Sequence, residues 1–439
     1  MNFRVRPVRR LSGECEVPGD KSISHRAALL GALAEGVTEV AGYLEAEDCL
    51  RTITAIQMLG VEVTKKGSGH YRIAGAGPGG LVEPGDVVDC GNSGTTVRLL
   101  LGVLAGQPFW TLLTGDDSLR RRPMKRVAEP LTRMGATIVG RSDGGRLPLA
   151  VRGAARPRAI AYDTPVASAQ VKSAILLAGL AADGPVTVRE PAPSRDHSEV
   201  MLRAFGARLE RPDARTVTLH PGPLCAAAVQ VPGDISSAAF LLVAGLIVPD
   251  SRVTVLRVGV NPTRTGLLDV LAAMRAPLAT TPQGPGDAAG EPMAALTVSH
   301  APLAATTIAG PLIPRLIDEV PALAVLAATA RGTTEIRDAA ELRVKESDRI
   351  AALVRELAKM GVRLDERPDG LAVPGGQRFR AARVASGGDH RMAMALAVAG
   401  LVADGETVVE DTACVHTSFP TFVDTLNALA AGPAITVEA

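Results

Sequence analysis

Residues 17–26 read VPGDKSISHR, and residues 231–240 read VPGDISSAAF. The same four residues precede an apolar run of helical length each time, but only the first copy adds Lys21, His25 and Arg26. Working outward from these two stretches, six segments share one grammar: a polar opening, an apolar run, a Gly-containing break and a β-branched strand. They are GDKSISHRAALLGALAEGVTEVAG from Gly19, GNSGTTVRLLLGVLAGQPFWTLLTG from Gly91 and SAQVKSAILLAGLAADGPVTVRE from Ser168. The others are GDISSAAFLLVAGLIVPDSRVTVLRV from Gly233, DEVPALAVLAATARGTTEIRDA from Asp318 and GDHRMAMALAVAGLVADGETVVED from Gly388.

Between them runs a second grammar, as in LRTITAIQMLGVEVTKK, RVAEPLTRMGATIVG, EVMLRAFGARLE and RIAALVRELAKMGVRLDE. Apolar residues recur there at three and four, which predicts helices with one buried stripe. The following Gly suits a C-cap, and the alternation after it suits a half-buried strand. The repeat is roughly 65–85 residues long, beyond the common solenoid periods. A helix apolar on every side must also lie inside something rather than on a stacked surface. The pattern therefore predicts an α/β chain of two domains, each with three-fold internal pseudosymmetry around shared buried helices. The paired VPGD segments bracket three units, so residues 20–233 are expected to form an inserted domain. Residues 1–19 and 234–439 would form the discontinuous one.

Composition narrows the class. The 439 residues are 46% hydrophobic and 21% charged with a net charge of +1, an ordinary globular balance that offers no global field for nucleic acid or an anionic membrane. Five scattered cysteines form no C-x-x-C pair and suit a reducing compartment. The start, MNFRVRPVRR, has no apolar signal region, and the run AAFLLVAGLIV (238–248) is too short to span a bilayer. A cytoplasmic chain is expected. GAGPGG (75–80) reads as a turn rather than a nucleotide-binding loop.

Charge is concentrated at the helix openings, where unpaired N–H groups and the dipole favour anions. Lys21 and His25 are four apart, as are Ser22 and Arg26, so each pair shares a helix face. GNSGTTVR offers two glycines and then Thr95 and Arg98, SAQVK a hydroxyl and an amide, and GDHR Arg391. SLRRRPMKR (118–126) and ELRVKESDRI (341–350) add two basic clusters. Any one of these cations alone reads as a solvated surface charge. Together they predict a site for more than one anionic group. Asp318 and Glu346 are the acids to place among them, ionised and able to accept a proton. No metal-ligand spacing accompanies His25 or His390.

Seven ordered motifs, GDKSISHR, GNSGTTVRLLLG, DDSLRRRPMKRV, SAQVKSAILLAGL, DEVPALAVLAA, LRVKESDRI and GDHRMAMALAVAGL, resemble those of the 5-enolpyruvylshikimate-3-phosphate synthase family (3-phosphoshikimate 1-carboxyvinyltransferases). The likeness runs from about residue 10 to residue 424. It implies two domains of three βαβαββ units each, an inside-out α/β barrel arrangement with the active site in the cleft between them. The implied reaction moves the enolpyruvyl group of phosphoenolpyruvate to the 5-hydroxyl of 3-phosphoshikimate by addition and elimination, releasing phosphate. It implies no metal or organic cofactor, and a monomer is expected.

By matching motif, the resemblance assigns Lys21 to both substrates and Ser22 and Arg26 to 3-phosphoshikimate. Ser168, Ala169 and Gln170 would hold that substrate's phosphate, with Ser194 and Arg195 completing the pocket. Asn92, Gly94, Arg122, Gln170, Arg349, His390 and Arg391 would bind phosphoenolpyruvate. Asp318 would take the hydroxyl proton, Lys345 would bind 3-phosphoshikimate, and Glu346 and Lys21 would move the proton at C3. HTSFP places Thr417, beside His416, where one branch of the family has a lysine. Leu99 after Arg98, and SAQ for SSQ, also fit the family's second branch.

Three rival readings need residues that this chain lacks or would not need ones that it has. A UDP-N-acetylglucosamine enolpyruvyl transferase would typically show Lys-Asn at 21–22 and a cysteine in the loop TGDDSLRRRP. A nucleic-acid-binding relative would need more base-stacking groups than three tyrosines and one tryptophan. A noncatalytic anion binder would not need Asp318, Lys345 and Glu346 together.

Overall fold

The structure is a computed structural model that describes residues 1–284 and 290–438. The chain forms two compact units. One holds Met1–Pro18 and most of the chain from Pro232 onward, and the other holds Gly19–Val231. Both crossings thus fall inside a VPGD segment, one and two residues before the expected boundaries.

The two VPGD segments are one strand-to-helix turn written twice. Asp20 caps the helix Lys21–Leu33 by accepting from the Ile23 N–H at 2.9 Å. Asp234 caps Ile235–Ile247 by accepting from the Ser236 N–H at 2.7 Å. Such a cap satisfies one orphan donor and contributes about 1 kcal/mol. A Cβ on Gly19 would lie 1.9 Å from the Gly42 carbonyl oxygen, so the turn admits no side chain there. The strands before the two turns are exchanged. Ser12–Glu16 leads into the helix Lys21–Leu33 but pairs in parallel with Arg252–Gly259, the strand after the second turn's helix. Ala228–Gln230 leads into Ile235–Ile247 but pairs in parallel with Ala34–Ala41, the strand after the first.

Among the described residues there are six sheets of four or five strands, three in each unit. Each has a parallel pairing, doubled in the five-stranded sheet where Leu224–Cys225 and Ala228–Gln230 both run parallel to Ala34–Ala41, followed by two antiparallel neighbours. In the Gly19–Val231 unit, for example, Val88–Asp89 runs parallel to Trp110–Thr114. That strand pairs antiparallel with Arg146–Arg152, which pairs antiparallel with Thr137–Gly140. The helix Gly94–Leu104 connects the parallel pair, and Lys125–Arg133 precedes the hairpin. This is a βαβαββ unit, and its sixfold occurrence gives the α/β class read from the repeats.

The apolar runs become the helices Lys21–Leu33, Gly94–Leu104 and Ala169–Gly179 in one unit, and Ile235–Ile247, Val320–Thr329 and His390–Gly400 in the other. All residues of Ile235–Ile247 are buried, as a helix without a polar face requires. Each unit has its own hydrophobic core. Helices pack closely enough that a Cβ on Gly102 would sit 2.4 Å from the Ala174 carbonyl oxygen. No helix of the described residues is long and apolar enough to cross a membrane. The buried helices therefore carry the cores, and their N-terminal turns carry the polar residues.

Candidate functional site

The first cluster lies in the Gly19–Val231 unit. Arg26 is buried, and among the described residues its hydrogen-bond partners are all uncharged. Its Nε donates to Ser198 Oγ at 2.6 Å, Nη2 to Ser173 Oγ at 2.8 Å and Nη1 to the Ser22 carbonyl at 2.8 Å. Burial pulls its pKa down to about 10, against the opposing pull of Glu199 and Asp20, and Arg195 adds a further lowering charge. Its hydrogen bonds thus end on hydroxyls and a carbonyl, while Glu199 and Asp20 act on its charge through space. Lys21, at the start of the same helix, forms an ion pair with the buried Asp48.

His25, one turn after Lys21 on the same helix, is fully buried. Burial, reinforced by Lys21 and Arg26, pushes its imidazole well below the ordinary histidine range, so it is neutral. Its Nδ1 lies 2.7 Å from Thr52 Oγ1, which lies 2.7 Å from Thr96 Oγ1. Ser93, the cap of Gly94–Leu104, accepts from both the Thr96 hydroxyl and the Thr96 N–H. His25 thus ties the first helix opening to the second.

Ser168 and Ser194 converge on one carboxylate. Glu190 Oε1 accepts from the Ser168 N–H at 3.0 Å, and Oε2 accepts from Ser194 Oγ at 2.9 Å. Lys172 bridges Glu190 and Glu199 at 2.8 Å each. Burial works against the Lys172 ammonium, yet Glu199 and Glu190 outweigh it and raise its pKa. The Ser168 side chain does not cap the helix Ala169–Gly179.

The second helix opening gathers two guanidiniums. A Cβ on Gly94 would lie 2.9 Å from Arg98 Nη1 and 3.3 Å from Arg122 Nη1. Arg98 Nη1 donates to Gln170 Oε1 at 2.8 Å, and Gln170 Nε2 donates to Thr95 Oγ1 at 3.1 Å. Arg122 Nη2 donates to Asn92 Oδ1 at 2.7 Å, and Asn92 Nδ2 donates to Asp116 at 2.6 Å. A bare first residue with two arginine forks over it makes a cradle at this helix N-terminus.

In the other unit, three carboxylates and three cations interlock. Arg349 is fully buried, its Nη1 lying 3.5 Å from Asp318 Oδ1 and its Nη2 2.6 Å from Glu346 Oε2. Its Nε lies 2.8 Å from Asp389 Oδ2. Burial opposes the Arg349 charge, but Asp389, Glu346 and Asp318 outweigh it and raise its pKa. Burial likewise opposes Asp389, but Arg349 holds it below the ordinary carboxylate range. Lys345 Nζ lies 3.8 Å from Asp318 Oδ1, and Arg391 Nη1 donates to the Asp318 carbonyl at 3.2 Å. His390 is buried beside Asp389 at the start of its helix. Thr417 spends its hydroxyl on the Cys414 carbonyl at 2.7 Å, and His416 is exposed.

Arg26, Arg98 and Arg122 therefore lie near helix openings of one unit, and Lys345, Arg349 and Arg391 gather around Asp318 in the other. Sequence reasoning did not pick out Lys172, Ser173, Glu190, Ser198, Glu199, Asp48 or Asp389. Of these, Asp389 had a readable signal, an Asp placed to cap the helix that begins HRMAMALAV.

Comparison with known proteins meets this geometry from the other side. The family model of EPSP synthase (3-phosphoshikimate 1-carboxyvinyltransferase) matches residues 5–426. A 3-phosphoshikimate 1-carboxyvinyltransferase of Gloeobacter violaceus is 56% identical over 425 residues, 97% of this chain and 98% of that protein. An EPSP synthase structure from Acinetobacter baumannii superimposes with a TM-score of 0.89 at 42% identity, covering 100% of both chains. The enolpyruvyl transferase NikO of Streptomyces tendae, 18% identical over 98% of this chain and 97% of that one, shares the fold with a TM-score of 0.78. The chain belongs to the EPSP synthase family, the 3-phosphoshikimate 1-carboxyvinyltransferases.

Proposed function

We propose that the cations of both units hold the phosphates and carboxylates of phosphoenolpyruvate and 3-phosphoshikimate while Asp318 takes the proton of the acceptor's 5-hydroxyl. The observation that carries this reading is the setting of Asp318, with Arg349 at 3.5 Å and Lys345 at 3.8 Å. Neighbouring cations favour the ionised carboxylate, the form a general base needs. The hydroxyl oxygen attacks C2 of phosphoenolpyruvate while C3 gains a proton, with Lys21 and Glu346 the groups that transfer it. The tetrahedral adduct then loses phosphate from C2 and the proton from C3, restoring the double bond.

Ser22, Arg26, Ser168, Ala169, Gln170, Ser194, Arg195 and Lys345 serve 3-phosphoshikimate in this scheme. Asn92, Gly94, Arg122, Gln170, Arg349, His390 and Arg391 serve phosphoenolpyruvate, and Lys21 serves both. Fixed donors aimed at developing charge in a water-poor site stabilise a transition state more than solvent can. The chain would act as a cytoplasmic monomer without a cofactor.

Phosphate release from phosphoenolpyruvate should occur with 3-phosphoshikimate and not with UDP-N-acetylglucosamine. Release only with the nucleotide sugar would overturn the acceptor, and release with neither would overturn the roles given to Lys21 and Asp318. Gly94→Ala gives a finer test. Its new methyl meets the far ends of two flexible arginines, so the fold should tolerate it. The KM for phosphoenolpyruvate should rise about 10-fold, equivalent to about 1.4 kcal/mol, while the melting temperature stays level or rises, as expected for Gly→Ala in a helix. An unchanged KM would remove Gly94 from the cradle.

A further inference from the structure

We propose that Glu319, clamped by Arg264 and Ser236, is a positioning residue that sets both the Asp318 carboxylate and, through the Asp318 carbonyl, the Arg391 guanidinium. The inference rests on the roles given above to Asp318 and Arg391. Asp318 and Glu319 are neighbours in the single turn Ile317–Glu319 that enters the buried helix Val320–Thr329. Glu319 is fully buried, and Arg264 and Ser236 nearly so. Arg264 Nη1 lies 3.3 Å from Glu319 Oε2, and Nη2 lies 3.3 Å from Oε1, a two-pronged contact. Arg264 Nη2 also donates to Ser236 Oγ at 2.5 Å, and Ser236 Oγ donates to Glu319.

Ser236 is the second residue of the helix after the second VPGD, the place Ser22 holds after the first. In the first copy that opening carries Lys21 and Arg26. In the second, the chain brings its own carboxylate to the same kind of place. Burying an arginine and a glutamate costs several kcal/mol per ion before their attraction is counted, and a packed apolar trio is often no less stable. What the ion pair adds is direction. With both oxygens held, Glu319 cannot rotate, and neither can the peptide that joins it to Asp318. That peptide's carbonyl is the one Arg391 Nη1 contacts at 3.2 Å. The Asp318 carboxylate on its other side faces Arg349 and Lys345. One clamp therefore serves two groups that the reaction uses.

The test compares Glu319→Gln, Ser236→Ala, the double variant Arg264→Met/Glu319→Leu and Asp318→Asn with the parent enzyme. The readouts are kcat, the KM for phosphoenolpyruvate and the melting temperature. In Glu319→Gln, kcat should fall about 10-fold to 100-fold, the scale of an approximately 1 Å misplacement, and the KM for phosphoenolpyruvate should rise several-fold through Arg391. Ser236→Ala keeps both charges and should move both constants the same way by a smaller factor. The double variant removes both members of the pair, leaves Asp234 its cap contact with the Ser236 N–H, and should fold yet show the larger change. A loss of kcat that tracks the unfolded fraction, with KM unmoved, would make the clamp merely structural and overturn the proposal. Parental constants in folded Glu319→Gln and Ser236→Ala, beside an inactive Asp318→Asn, would overturn it too. A fully active Asp318→Asn would instead overturn the reading of Asp318 on which it rests.

Discussion

Lys21→Ala should lower kcat/KM by about 10³-fold or more while leaving the protein folded. A hydrogen bond to a charged group contributes about 1.5–3 kcal/mol. Loss of a donor aimed at transition-state charge adds about 2.7–4 kcal/mol. In the scheme above Lys21 makes both kinds of contact, so the two losses combine. The substitution also strands Asp48, whose carboxylate pairs with Lys21 and is mostly buried. The companion variant Lys21→Ala/Asp48→Asn separates the effects. It should recover stability in a thermal melt without recovering turnover. Lys21→Arg keeps the charge but replaces a movable ammonium with a planar fork. Its turnover should fall between the two. Turnover of Lys21→Ala within about 10-fold of the parent, roughly the 1.4 kcal/mol of one weak contact, would remove Lys21 from the chemistry.

The second large effect is on folding. Asp389→Ala should cost about 3–5 kcal/mol for leaving Arg349 buried beside a lost partner, with about 1 kcal/mol more for the helix cap. Asp389 accepts from Arg349 Nε at 2.8 Å, from Ser347 Oγ at 3.0 Å and from the Arg391 N–H at 3.0 Å. Against a total stability of about 5–15 kcal/mol, that loss is large enough to appear as a marked drop in the urea midpoint.

The pH dependence has a definite sign. Asp389 is held below its ordinary 3.8, so its stabilisation is present above that pH and is lost as pH falls through the lowered value. Arg349 is raised above the ordinary guanidinium range and contributes at every pH below it. The gap in unfolding free energy between parent and variant should stay flat from neutral pH down to about 4 and close only in stronger acid. A gap that closed near neutral pH would deny Asp389 this role.

Much of the fold could be read because the helices signal themselves. A run such as ISSAAFLLVAGLI leaves no face for water, so it can only be interior, and six such runs fix six units. The exchange of strands was only half visible. Two VPGD segments mark two crossings, but nothing in SGECE says that it pairs with residues some 240 positions away. The site divides along the same line. Arg26, Gly94 and Arg349 could be read because their motifs place several charges together at one opening. Lys172, Glu190 and Glu199 could not, since a lysine and two glutamates 18 and 27 residues on look like ordinary surface charges until folding buries them together. Glu319 was hidden for a different reason. It stands beside Asp318, and the reading of DEVPALAVLAA stopped at the first acid.

The N-terminal strand Asn2–Val5 is the middle of its sheet, between Thr407–Glu410 and Ile435–Glu438. On a ribosome this imposes a waiting period. Gly19–Val231 is contiguous and can close its core as soon as it has emerged. The first strand must stay unpaired until Thr407–Glu410 and Ile435–Glu438 are made. At about 5–20 residues per second the gap after Val231 lasts roughly 10–40 s. During that interval a β-prone segment with open edges hangs from a finished domain, a hazard for pairing between neighbouring nascent chains. Arg4 in the strand and Arg6 just after it later pair with Glu406 and, for Arg4, Glu438. Until then they give the waiting strand a positive charge that keeps copies of it apart.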